Sequence, residues 1–328
     1  MSPVTDRPER HQLAVRKVVV GSRDSRLARV QAEWVGMRLK EAWPDLSIVY
    51  WTTTTIGDRE RDVPISEIGG QGVFTSALES ALVEGTIDLA VHSLKDLPTK
   101  ESTGTLLVAV PPREDPRDAL VVGPGVPVER GSFEALSSGA RVGTSSLRRS
   151  AQVRAIRPDL RVTDVRGNVD TRLKKLETGA FEALILAAAG LKRLGLWSSN
   201  MFPLETNWLP APGQGALGVQ GRLLDLGIRE LARPLEDRKS RVEVTAERSL
   251  LANLEGGCQV PIASRANVES EDVQLSAAVY DVEGILVPIV GTERGHIGEA
   301  VEVGERLAHR LKASGAGVMV ENAREFRV

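Results

Sequence analysis

The chain has 328 residues, 42 basic and 44 acidic side chains, a formal net charge of −2 and an aromatic content of 4%. A single core rarely grows to that length, so two or three domains are expected. Near-neutral charge and scarce aromatics argue against a nucleic-acid partner, and no run approaches the roughly 18 apolar residues of a membrane span.

Residues 1–17 are polar and lack the apolar stretch of a secretion signal, so with one cysteine the chain reads as cytoplasmic and soluble. Residues 17–21 form a short β-branched run ending in glycine. A helix should follow from a cap at Ser25, with Leu27, Val30, Trp34 and Met37 on one face. Residues 48–54 read as a strand, 75–84 as a helix, and 87–92 and 106–110 as strands. The alternation restarts near 118: a strand at 119–122, then 141–143 leading to a helix from Ser145. Residues 161–165 lead to a helix from Asp170, and 183–188 form another strand. Strands alternating with helices indicate an α/β chain with parallel sheets wound on both faces, in two similar lobes. The segment Leu209-Pro210-Ala211-Pro212-Gly213-Gln214-Gly215 looks like a crossover between them. From about 236 the character changes. A long helix near 241–254 precedes a loop, strands follow near 260–268, 274–281 and 285–292, and a helix near 298–313 comes next. The turn Asp281-Val282-Glu283-Gly284 joins the last two strands as a hairpin. This reads as a small α+β domain with an antiparallel sheet.

Cys258, in the loop Gly256-Gly257-Cys258-Gln259-Val260-Pro261, is the only cysteine. One sulfur cannot form an internal disulfide or a cysteine cluster for metal. It is a single nucleophile, a single point of covalent attachment, or a small buried hydrophobe at a helix end. Of the 42 basic residues, 33 are arginine. The planar guanidinium grips carboxylate or phosphate through two parallel hydrogen bonds, although a genome rich in G and C would also favour it.

Some arginines stand where a helix disfavours them. Thr144-Ser145-Ser146 caps a helix, which puts Arg148 and Arg149 in its first turn, where each cation costs about 0.3–1 kcal/mol. Either an anion docks on that helix end or the two make a salt bridge to a neighbouring lobe. The pattern returns at Arg166-Gly167-Asn168-Val169-Asp170-Thr171-Arg172, with Asp170 as cap and Leu173 and Leu176 on the buried face. Arg23, beside Ser22 and Ser25, holds the equivalent place in the first lobe. Open α/β sheets bind ligands beyond the carboxyl ends of their strands, and all of these residues fall there. So does His92-Ser93-Leu94-Lys95-Asp96-Leu97-Pro98, in which Asp96 is a candidate acid or base with Lys95 as partner, or else a turn residue.

Gly213, Gly215 and Gly218 match G-x-G-x-x-G, but Pro210 and Pro212 stand where a dinucleotide fold needs its first strand. The glycines read as close backbone approach. Histidines at 11, 92, 296 and 309 show no paired spacing, so no metal is expected. There is no Gly-rich loop ending in Lys-Ser or Lys-Thr, which sets ATP aside.

These stretches together resemble the porphobilinogen deaminase family. The resemblance is carried by Gly21-Ser22-Arg23 with Leu27-Ala28 and Gln31, by Thr55-Ile56-Gly57-Asp58, by the segment 90–98, and by Arg113-Glu114-Asp115-Pro116-Arg117-Asp118. It continues through Gly143-Thr144-Ser145-Ser146-Leu147-Arg148-Arg149, Arg166-Gly167-Asn168-Val169, Gly190-Leu191-Lys192-Arg193-Leu194-Gly195, Gly213-Gln214-Gly215-Ala216 and the cysteine loop. Only the N-terminal tail and the last sixty or so residues match loosely.

The resemblance implies two lobes of the periplasmic-binding-protein type, at 1–113 with 212–235 and at 114–211, and a smaller third domain at 236–328. It implies a dipyrromethane cofactor held by a thioether to Cys258, and a transferase that deaminates porphobilinogen and joins four molecules head to tail into hydroxymethylbilane for haem biosynthesis. Loss of ammonia leaves an electron-poor azafulvene, and Asp96 would steady the positive ring, with Lys95 as second catalytic candidate. Cofactor binding carries over to Arg23, Ser25, Lys95, Asp96, Ser145, Ser146, Arg148, Arg149, Arg166, Gly167 and Arg172. Substrate binding carries over to Arg23, Arg149, Arg172 and Arg193. Each added ring brings two carboxylates, which gives the arginines a purpose. A monomer is expected, with porphobilinogen as the only partner, and neither nucleic acid nor membrane. The chain departs from the family at Gln71 and Ser76, where lysine is usual, and at Arg26, where proline is usual. The rival readings are a two-lobed small-anion binding protein without chemistry and an RNA-binding protein using the arginines from 141 to 172.

Overall fold

The computed structural model of the protein describes residues 17–54, 75–126, 133–204, 207–255 and 260–325. Cys258 with Gly256, Gly257 and Gln259, the motif 55–58 and Gln71 lie outside the described residues. In chain order the elements are β1 (Lys17–Arg23), α1 (Arg26–Ala42), β2 (Ser47–Thr53), α2 (Ser76–Val83), β3 (Leu89–Ser93) and β4 (Thr105–Ala109). Then come β5 (Asp118–Val122), β6 (Arg141–Gly143), α3 (Leu147–Ile156), β7 (Arg161–Thr163), α4 (Val169–Glu177), β8 (Ala183–Ala187), α5 (Ala188–Arg193) and β9 (Met201–Pro203). The chain continues with β10 (Leu217–Arg222), α6 (Leu226–Ala232), α7 (Arg238–Asn253), β11 (Ile262–Glu269), β12 (Asp272–Val279), β13 (Ile289–His296), α8 (Ala300–Ala313) and α9 (Ala316–Glu325).

The first sheet runs β2-β1-β3-β10-β4 and the second β7-β6-β8-β5-β9, the same order of connections in both. These are two doubly wound α/β lobes, followed by the antiparallel sheet β11-β12-β13. The expectation of parallel sheets needs one correction. β10 runs antiparallel to β3 and β4, and β5 antiparallel to β8 and β9. Both reversed strands are the first reached after the chain changes lobe. Each crossing leaves from the carboxyl end of a forward strand with no helix to carry it back, so the next strand starts at that same end. The two crossings therefore lie beside the carboxyl ends, where ligands bind in such sheets.

Ser25 caps α1 by accepting from Ala28 N at 3.2 Å. Its buried face is Ala28, Gln31, Ala32, Val35 and Leu39. The anticipated Leu27, Val30, Trp34 and Met37 form a flank, and Met37 is 48% exposed. Both series have helical spacing; the one with smaller residues lies on the sheet, while Leu27 reaches the second lobe at Gly190.

In the third domain α7 and α8 pack on β11–β13 around Leu250, Val273, Leu275, Val303, Leu307 and Leu311. The connection between β12 and β13, residues 280–288, is longer than the anticipated four-residue turn. Gly315 interrupts the last helical run, which resumes as α9, an element the periodicity did not suggest.

The third domain is fixed to both crossings by one carboxylate. Glu247 of α7, fully buried, accepts from Arg113 at 2.9 and 3.0 Å, from Gly213 N at 2.6 Å and from Ala266 N at 2.8 Å. Arg113 also donates to the Gln214 carbonyl at 2.9 Å. The helix that leads to the Cys258 loop is thus tied to the two segments on which the lobes would hinge.

Candidate active site

Arg23 ends β1, and β3 runs directly into a single 3-10 turn, Leu94–Asp96. Buried Leu94 anchors that turn, and its N–H donates to the Ala216 carbonyl at 3.0 Å. Asp96 is thereby held at the rim of a cavity of about 80 Å³, lined among others by Arg23, Ser25, Gln31, Thr75, His92 and Ser93. Gln31 Nε2 donates to Ser93 Oγ at 3.1 Å. Among the described residues, the buried Thr75 Oγ1 and His92 Nε2 have no hydrogen-bond partner. Burial pushes the His92 pKa down to about 4; the Gln220 side chain opposes this and the charge of Arg23 adds to it. Two buried polar atoms left open on one cavity are the mark of a site completed by a ligand or water.

Lys95, on the same turn, donates to Gln214 Oε1 at 3.3 Å. Burial lowers its pKa, Asp96 and Asp118 pull it up, and Arg149 and Arg148 pull it down. The two candidate catalytic residues therefore sit on one turn, within reach of each other's charge.

In the second lobe Ser146 caps α3 by accepting from Arg149 N at 3.5 Å, and Ser145 Oγ donates to the Val165 carbonyl. Arg148 and Arg149 do occupy the first turn. The carboxylate that meets them belongs to neither a ligand nor the other lobe: it is Asp118, the fully buried first residue of β5. Arg148 Nη2 reaches Oδ2 at 2.8 Å, and Arg149 Nε and Nη2 reach Oδ1 at 3.1 and 2.7 Å. Trp208 Nε1 donates to Oδ2 at 2.7 Å and Gln214 Nε2 to Oδ1 at 2.8 Å. Burial alone would raise the Asp118 carboxyl, but the two guanidiniums hold it well below the ordinary carboxylate range. Arg148 Nη1 also donates to the Leu209 carbonyl and Arg149 Nη1 to the Ile185 carbonyl.

Arg166 pairs with Asp164 at 2.8 Å on the half-exposed rim. Gly167, at φ 107, makes the turn into α4 where a Cβ would overlap Thr171, and its carbonyl accepts from Arg172 Nε at 2.8 Å. Asn168, not Asp170, is the cap residue of α4. Asp170 sits two positions further in, in the first helical turn where a carboxylate is favoured, and accepts from Arg26 Nη1 of the first lobe at 2.6 Å. Arg193, at the end of α5, donates to the Gly215 carbonyl at 2.7 Å. Gly215, at φ 85, is needed there because a Cβ would lie 2.3 Å from the Glu114 carbonyl oxygen.

Burial pushes Arg172 down to about 10, with Arg149 adding and Asp164 opposing, and pushes Arg193 down to about 10 against the pull of Glu114. Among the described residues no carboxylate forms an ion pair with either guanidinium; the acidic charges acting on them are Asp164 for Arg172 and Glu114 for Arg193. Under-neutralised cations beside open polar atoms suit a ligand with several carboxylates, so the residues present fit a dipyrromethane group. A larger cavity of about 420 Å³, between Trp208 and Arg265, holds no carboxylate and none of the anticipated catalytic residues. Among the described residues no cluster of His, Cys, Asp and Glu could hold a metal ion, and no helix is long and apolar enough to cross a membrane.

Asp118, Gln214, Glu247 and Trp208 were not singled out in the sequence. Asp118 and Gln214 lie inside motifs that were recognised, but nothing in their spacing says that they are buried.

The family model described as "Porphobilinogen deaminase, dipyromethane cofactor binding domain" matches residues 18–230, and "Porphobilinogen deaminase, C-terminal domain" matches 241–313. The chain is 45% identical over 304 residues to a porphobilinogen deaminase of Roseiflexus sp. (strain RS-1), covering 92% of this chain and 98% of that one. It is 47% identical over 298 residues to that of Syntrophotalea carbinolica, covering 90% and 93%. Among solved structures it is similar to the methionine binding protein MetQ, at 11% identity and a TM-score of 0.43, covering 67% of this chain and 90% of that one. With its family signature spanning both lobes and the third domain, the chain belongs to the porphobilinogen deaminase family.

Proposed function

We propose that the chain deaminates porphobilinogen and joins four molecules head to tail, on a dipyrromethane primer held through Cys258, with Asp96 as the catalytic carboxylate. The observation that carries this reading is the cavity shared by Asp96, Arg23 and two unpartnered buried polar atoms, backed by the under-neutralised Arg172 and Arg193. The bound primer supplies a pyrrole with a free α-carbon as the nucleophile. Arg23, Ser25, Lys95, Asp96, Arg149, Arg166, Gly167 and Arg172 would hold it, while Ser145, Ser146 and Arg148 shape the helix end on which it rests.

When porphobilinogen loses ammonia, the C–N bond breaks with its electron pair on nitrogen and positive charge spreads over the pyrrole. A carboxylate fixed against the ring N–H stabilises that charge without reorganising, because the 3-10 turn already holds it. Lys95, whose ammonium burial has weakened, lies beside Asp96 as the group able to hold a substrate carboxylate or exchange a proton. Arg172 and Arg193 bind carboxylate arms, and the more they receive the better their charge is balanced.

We further assign 1–113 with 212–235 and 114–211 to the two lobes and 236–328 to the tethering domain, and we propose a cytoplasmic monomer, consistent with a single cysteine. Asp96→Ala tests the mechanism. It should carry the primer yet lose ammonia release by about 10²-fold or more. Wild-type ammonia release would remove Asp96 from the reaction.

A further inference from the structure

Gln214 stands in the crossing that returns from the second lobe to the first, and is almost fully buried. Its Oε1 accepts from Lys95 Nζ at 3.3 Å, and its Nε2 donates to the Pro116 carbonyl and to Asp118 Oδ1, both at 2.8 Å. That same Oδ1 takes two hydrogen bonds from Arg149. A primary amide accepts at one end and donates at the other, so it can join an ammonium to a carboxylate in one fixed order while carrying no charge itself. The result is an unbroken chain, Lys95 to Gln214 to Asp118 to Arg149, from the turn that carries Asp96 to the first turn of α3.

We propose that Gln214 and Asp118 are positioning residues for the reaction, fixing the Lys95 ammonium of one lobe at a set separation from the Arg149 guanidinium of the other. The inference rests on reading Lys95 and Arg149 as working groups of the cleft. Lys95 and Arg149 repel each other, and the groups facing Lys95 are Asp96 on its own turn, Asp118 on β5, and Arg148 and Arg149 on α3. The Gln214 amide and the Asp118 carboxylate lie between the two cations and oppose that repulsion from the hinge side. Gln214 stands in one crossing, and Asp118 opens β5 where the other crossing enters the second lobe, so the link between the two cations runs through the segments about which the lobes would rock.

The test uses the full-length enzyme carrying its primer. Gln214→Leu keeps the volume and removes all three of these side-chain hydrogen bonds. Without its acceptor the ammonium is less favoured, so the alkaline limb of the kcat profile should move to lower pH, and kcat should fall roughly tenfold to a hundredfold with little change in KM. Trp208→Phe deletes a different hydrogen bond, on Asp118 Oδ2. It should lower the melting temperature and leave the alkaline limb where it is. An unshifted limb with wild-type kcat in Gln214→Leu, or an equal shift in Trp208→Phe, would overturn the proposal. Should Gln214→Leu fail to fold, the wild-type side-chain amide ¹⁵N resonance of Gln214 decides. It should titrate at the pH of the alkaline limb, and a flat signal there would overturn the inference. Asp96→Ala separates the two levels: if it loses turnover while Gln214→Leu keeps its rate and profile, only the positioning role fails.

Discussion

A guanidinium that the protein itself does not neutralise is a stability defect kept for binding. Arg172 is the clearest instance: burial and Arg149 lower its pKa to about 10, so the folded chain disfavours the charge it carries throughout the neutral range. Replacing it removes a destabilising charge. Arg172→Leu should therefore not lower the thermal midpoint of the free enzyme, while its turnover falls at least about tenfold and shorter enzyme-bound chains accumulate in native mass spectra. A lowered midpoint together with normal chain growth would contradict this. At this scale the sequence was legible where charge stood in the wrong place. Arg148 and Arg149 were conspicuous in a first helical turn, but the carboxylate that answers them was not, because an aspartate opening a strand looks like any turn residue. A carboxylate of the protein itself, Asp118, 30 residues away from Arg148, meets both guanidiniums. Asp170 was misassigned as a cap for a related reason, since its actual partner, Arg26, is on the other lobe.

At the scale of elements, β3 carries a titratable group whose sign can be worked out. His92 has a folded pKa of about 4, below its ordinary value of 6.5, so the fold favours the neutral ring. Its stabilisation is complete above pH 6.5 and is lost as pH falls through 4, on the order of 3 kcal/mol in all. His92→Gln should flatten the decline in unfolding free energy between pH 6.5 and 4.5, measured by urea titration at several pH values. An equally steep decline in the variant would show that other groups cause it. Strand and helix order was readable from alternating β-branched runs and glycine turns. Strand direction was not, because β5 and β10 are reversed by where the chain crosses between lobes. The face of α1 was misread because two overlapping apolar series share its period, and only packing distinguishes them.

Across the whole molecule, the three units and their order followed from the change of character near 236, but their attachment did not. Glu247 reads as one more polar residue of a helix, and only in three dimensions does it bind Arg113, Gly213 and Ala266 at once. Removing one partner of such a buried pair leaves an uncompensated charge. Glu247→Ala should destabilise the enzyme by about 3–5 kcal/mol in urea unfolding, and adding Arg113→Met should recover part of that loss. Strictly additive losses would mean that the two side chains do not act as a pair. The exposed Arg26–Asp170 pair between the lobes is worth no more than about 1 kcal/mol and is screened by salt, which leaves lobe movement cheap while the third domain stays fixed to the crossings.

The most direct measurement is the intact mass of the purified enzyme. The account predicts an excess equal to two linked pyrroles, confined to the peptide that contains Cys258 and absent from Cys258→Ser. An active preparation with the unmodified mass would contradict it.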